Sequence, residues 1–91
     1  MTRRKGEVTA RMNERALPHV VDLAQPEGGF GSTLEAIDAF HREHSITLRR
    51  GRRQRRNDQE FARWCFITPE LADDFHARFG GERIDLAPRK R

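Results

Sequence analysis

Apolar positions in this chain fall in short runs whose spacing changes from one run to the next. Residues 18–24 (PHVVDLA) are β-branched and predict a first strand. Gln25-Pro26 and a loop of Glu27, Gly28, Gly29, Phe30 and Gly31 close it. Ser32 with Glu35 three residues later has the capping-box spacing. The helix it opens carries Leu34, Ile37, Phe40 and His44 along one face and ends near His44. Residues 46–49 predict a second strand and residues 59–68 a third. Thr68 then caps a second helix, with Pro69 at its first position and Leu71, Ala72, Phe75 and Phe79 on its buried side. Gly80 stands where a left-handed stop belongs. Residues 82–87 (ERIDLA) alternate and predict a fourth strand.

This order predicts an α+β fold of the ferredoxin-like βαββαβ kind: a four-stranded antiparallel sheet in the order 4-1-3-2, with both helices on one face. Alternation assigns Val21, Leu23, Leu48, Trp64, Phe66, Ile84 and Leu86 to the helix-covered face. The open face then shows Val20, Asp22, Phe61, Arg63, Cys65, Ile67, Arg83 and Asp85, a surface compatible with water, a ligand or a second copy of the chain. Residues 1–15 lack apolar periodicity and predict a mobile basic arm. The domain would span residues 16–87, with an arginine-rich hairpin loop at 49–58 and a basic tail at 88–91.

Length and composition narrow the classes. Ninety-one residues make one small domain, too small for a deeply enclosed active site. The longest uncharged apolar stretch, residues 64–67, is too short to span a bilayer. One cysteine, Cys65, excludes an internal disulfide framework and a thiolate zinc cluster. The expectation is a cytoplasmic protein with no membrane partner. The net charge of +4 is unevenly spread. Residues 1–15, 49–56 and 88–91 together carry +12, while the remainder carries −8. An acidic body therefore bears three basic segments.

The densest of these holds Arg49, Arg50, Arg52, Arg53, Arg55 and Arg56. Guanidinium groups pair bidentately with phosphate and stack on bases, so a run of them predicts contact with RNA or DNA, with Phe61 and Arg63 nearby. About four to six phosphates would give a steep salt dependence. The run has two other readings: a hairpin tip neutralised by the body's carboxylates, or a contact for an acidic protein. Glycines before a helix N-terminus favour an anion, but the loop lacks a P-loop lysine, and a glycine turn entering a helix accounts for it. His41, His44 and His76 lack the convergent spacing of a metal site, and no cofactor is implied. Cys65 with His19, Asp22 or Asp85 reads as packing rather than a nucleophile. Glu70, Asp73 and Asp74 complement a helix dipole.

Three resemblances bear on this reading. Residues 64–66, Pro69, Ala72, Phe75 and residues 78–83, with the early Pro-His-x-Val strand, resemble a set of short bacterial proteins of uncharacterised function, over about residues 18–86. That likeness implies no activity. Residues 20–48 resemble amino-acid-binding regulatory modules of the ACT type, which implies a ligand at Gly29, Phe30 and Gly31. Residues 59–66 resemble the third-strand octamer of the RNA-recognition motif, which implies stacking on Phe61, with Arg63 where a second aromatic ring belongs. The combined expectation is a non-enzymatic binding module using the arginine loop on nucleic acid. The alternative is a small-ligand, dimerisation or adaptor module, as a homodimer through the open sheet face.

Overall fold

The computed structural model describes residues 3–86, with side chains from Val8 onward, and its centre is the antiparallel pairing of the two most apolar segments. In chain order the elements are α1 (Arg3–Ala16), β1 (His19–Ala24), α2 (Thr33–Glu43), β2 (Gln54–Arg56), β3 (Gln59–Phe66), α3 (Pro69–Phe79) and β4 (Glu82–Asp85). The architecture is α+β: three helices and one four-stranded antiparallel sheet in the order β2-β3-β1-β4. The third, first and fourth strands neighbour one another as expected, whereas the strand beside β3 at the edge is a different segment from the one expected.

Pairing of Val21 with Trp64 and Leu23 with Ala62 puts these side chains on one face. There they join Ile37 and Phe40 of α2 and Ala72 and Phe75 of α3 in the buried core. Phe75 lies 5.4 Å from Phe40, 5.1 Å from Phe66 and 5.8 Å from Trp64, ring centre to ring centre. Each such aromatic pair adds about 0.5–1.5 kcal/mol to simple burial. His41 is part of this packing. Its Nδ1–H donates to the Ile37 carbonyl at 2.8 Å, its ring stacks on Phe66, and burial pulls its pKa down. At the start of α3 the Thr68 hydroxyl accepts from the Leu71 amide at 3.2 Å, Pro69 needs no amide partner, and Gly80 ends the helix at φ +80°. α2 differs from expectation, because Ser32 precedes it without a side-chain capping bond.

Four further expectations are corrected. The first concerns residues 1–15, read as an unstructured arm: Arg3–Ala16 is helix α1. Its apolar pair Val8 and Met12 is 53% and 62% exposed, whereas Glu14, on another side, is buried. The helix is docked by polar contacts, so an apolar stripe was the wrong signal to seek.

The second concerns the face of the sheet taken as open, over which α1 lies. Val20, Asp22, Cys65 and Arg63 there are all buried.

The third concerns β4, whose phase is reversed. Arg83 pairs with Val21 and Ile84 with Val20, so Ile84 sits on the α1 side while Arg83 reaches Asp73 of α3 at 2.9 Å. With both faces covered, apolar alternation alone did not fix which side Ile84 takes.

The fourth concerns the second strand, which is not residues 46–49. Ser45 turns at φ +55°, and the Ile46 amide is used on the His41 carbonyl. The chain reaches β3 only at Arg49, whose carbonyl accepts from Cys65 N, and at Gly51, whose amide donates to Arg63 O. Residues 49–58 are therefore no loop but largely the edge of the sheet. The hairpin itself is the two-residue turn Asn57-Asp58, with φ of +51° and +64° as a type I′ turn requires. The basic tail at 88–91 lies outside the described residues. Among the described residues, no helix is long and apolar enough to cross a membrane.

Candidate nucleic-acid interface

Edge geometry decides where each arginine goes. Arg50 bridges Trp64 and Gln54 pairs with Phe61, so four steps along the edge match three along β3. One residue is extra between them, a bulge at Arg52. Its freed amide donates to Glu14 Oε2 at 2.7 Å, and its guanidinium reaches Glu14 Oε1 at 3.1 Å through Nε and 3.0 Å through Nη2.

Beside the bulge, on the α1 face, runs a chain of opposite charges. Arg63 donates to Asp22 at 2.7 and 3.0 Å and to Glu14 at 3.2 Å. Arg56 meets Asp22 at 3.4 Å and Glu82 at 2.8 Å, with its guanidinium carbon 4.2 Å from the centre of the Phe61 ring. Burial raises the Glu14 pKa, but the amide and guanidinium of Arg52 and the charge of Arg63 outweigh it and hold the carboxyl below its ordinary value. The Asp22 hydrogen bonds push the Arg63 guanidinium further up.

The arginines singled out from sequence thus divide. Arg52, Arg56 and Arg63 are bound to Glu14, Asp22 and Glu82, and Arg55 pairs with Glu60 at 3.1 Å near the hairpin tip. Phe61 is half-buried under Arg56 rather than open for stacking. Arg50 lies over Trp64, guanidinium carbon 4.5 Å from the ring centre. Among the described residues Arg49, Arg50 and Arg53 form no ion pair with a carboxylate.

These three border an open cleft between α1 and the sheet edge. One part, about 470 Å³, is lined by Ala10, Arg50, Arg52, Arg53 and Arg63. The adjoining part, about 570 Å³, is lined by Thr9, Asn13, Leu48, Arg49 and Arg50. Asn13 Nδ2 donates to the Arg50 carbonyl at 2.8 Å and ties the two walls together. Thr9, Ala10, Asn13 and Glu14 were not anticipated. Glu14 stands between Arg11 and Arg15, so nothing local in the sequence marked it as the partner of distant arginines.

The glycine loop stands apart from the cleft wall. Gly29 and Gly31 take φ of +94° and +58°, the Gly29 amide donates to Pro26 O, and Phe30 packs edge-on against Trp64 at 5.6 Å. Phe30 and Arg50 therefore both contact Trp64, one as core cover and one as cation. Cys65, on the α1 face, is buried, and its thiol is pushed up to about 12, chiefly by desolvation. Among the described residues no group of three or more His, Cys, Asp or Glu is placed to hold a metal ion. Compared with protein-family models, curated proteins and solved structures, the chain matches none.

Proposed function

We propose that this chain is a nucleic-acid-binding module that holds phosphate groups in the cleft between α1 and the sheet edge. Arg49, Arg50 and Arg53 are its primary contacts. The observation that supports this most is the division of the arginine run. Residues on the α1 face are consumed by Glu14, Asp22 and Glu82, while three arginines with no carboxylate partner among the described residues border one open cleft. Arg52 and Arg63, although they line it, are neutralised and act as supports. In this reading the βαββαβ core is a ferredoxin-like scaffold, and α1 is an addition to it that forms the second wall. Function is binding rather than catalysis, in keeping with a Cys65 thiol that stays protonated.

Three contacts rather than six give a definite salt dependence. The slope of log affinity against log salt should be about −2.7 on duplex and about −2.1 on single strands. Fluorescence anisotropy with labelled 16-nucleotide RNA and DNA, single- and double-stranded, across a salt series measures it. Replacing Arg49 and Arg53 by Gln should lower affinity and reduce the slope by about two, whereas Arg55→Gln should change little. No binding at low salt, or a double variant that binds as the parent does, would overturn the proposal.

A further inference from the structure

Arg49 faces two cavities, and the second is of another character. Around it stand Leu17 from the α1–β1 link, Ile46 and Thr47, Phe66 and Ile67 at the end of β3, and Leu71 of α3. Cys65 completes the lining. The walls are apolar, and among the described residues no carboxylate lines it and Arg49 is the one charged group there. Its volume is about 200 Å³, which at the ~30 Å³ of a water-sized group is room for roughly six or seven heavy atoms.

We propose that this cavity binds a small monocarboxylic acid with a short unbranched or ring-shaped apolar tail, the tail against Ile46, Phe66 and Leu71 and the carboxylate on Arg49. An amine would be repelled by that guanidinium, and a neutral alkane would cover it without supplying a hydrogen-bond partner. A protonated Cys65 brings no competing anion. Ile67, 55% exposed, keeps an apolar rim at the mouth. Thr68 caps α3 between Ile67 and Leu71, so the positive end of that helix lies at the same rim, although Glu70 in its first turn is exposed and offsets part of it.

The test is methyl-resolved NMR titration of the full chain with hexanoate, and in parallel with hexylamine. Hexanoate should shift the methyls of Leu17, Ile46, Ile67 and Leu71 with a Kd on the order of 1 mM, as expected for eight heavy atoms of which roughly six or seven fit inside and the rest stand at the open mouth. Hexylamine should give no saturable shift at these methyls. Arg49→Met, which keeps an unbranched apolar stem and removes the charge, should weaken hexanoate about tenfold, and Ile67→Asp, at an exposed position, should do the same by repulsion. Equal shifts with both ligands, unchanged affinity in Arg49→Met, or no shifts at all would overturn it. Arg53 does not line this cavity. Arg53→Gln should therefore keep hexanoate binding while weakening nucleic acid, so each proposal fails by a different measurement.

Discussion

Glu14→Ala tests the account of how α1 is held. The carboxylate is 6% exposed and accepts from the Arg52 amide at 2.7 Å, from the Arg52 side chain and from Arg63 at 3.2 Å. Removing one partner from a buried ionic group costs about 3–5 kcal/mol, and an orphaned amide about 1–3 kcal/mol. Two features pull the sum down. Arg63 keeps both bonds to Asp22, and Arg52, nearly half exposed, turns to water. The expected loss is about 3 kcal/mol, out of roughly 5–14 kcal/mol for a chain of this length. Urea unfolding followed by Trp64 fluorescence and far-ultraviolet circular dichroism should show a midpoint lowered by about 2 M. α1 supplies 14 helical residues against 11 each in α2 and α3, so early loss of helix signal alone would mark local undocking. The pH dependence carries the sign. Because the Glu14 pKa is lowered on folding, its stabilisation is present above the ordinary value of 4.5 and lost as pH falls through the lowered one. The gap between parent and Glu14→Gln should be constant from about pH 6 to 8 and close in acid. A loss under about 1 kcal/mol, or a gap that widens in acid, would refute the reasoning.

Two more expectations rest on the same face. A Cβ on Gly51 would lie 2.7 Å from Arg63 Cδ and 2.7 Å from Glu14 Oε2, so Gly51→Ala should destabilise by about 1–3 kcal/mol, read by the same unfolding curve. Both clashing groups are pinned in the ionic chain, and an alanine tolerated without cost would show that chain to be loose. Cys65, buried with its thiol pushed up to about 12, should resist iodoacetamide in the folded chain near neutral pH and react in urea. Rapid native labelling would show that α1 does not cover it.

Much of the fold was legible because its signals are local. Thr68, Pro69 and Gly80 bound α3 through chemistry that needs no distant partner. Val21, Leu23, Trp64 and Phe66 show the period of a strand facing helices, and the register confirms it. What escaped depends on contacts far apart in sequence. Glu14 meets Arg52 and Arg63 across 38 and 49 residues, and neither end has a pattern that announces the other. Without α1 the second face looked open, so Val20 and Cys65 were assigned to a surface for water, a ligand or a second copy, and Ile84 to the opposite, helix-covered face. The Asn57-Asp58 turn is a strong hairpin signal, yet the arginines before it were given to the loop, because a run of like charges reads as solvated rather than paired.

The two readings of the arginine run are not alternatives, and the edge geometry is why. A strand sends successive side chains to opposite faces, and a bulge adds one residue out of step. Gln54 and Arg56 fall on the α1 face with Phe61, where Arg56 meets Asp22 and Glu82. Gly51 falls on that face too, and leaves room for Arg63. Arg50, opposite Trp64, falls on the other face and finds an aromatic ring instead of a carboxylate. The pairs to Glu14, Asp22 and Glu82 are therefore made on the α1 face, Arg55 on the other face meets only its cross-strand neighbour Glu60 and the turn's Asp58, and no carboxylate meets Arg49, Arg50 or Arg53 among the described residues. A stretch that was only a loop would have no phase, and every arginine in it could fold onto the body. Pairing with β3 prevents that, and it is the pairing, more than the number of arginines, that keeps cationic groups available to an anionic partner.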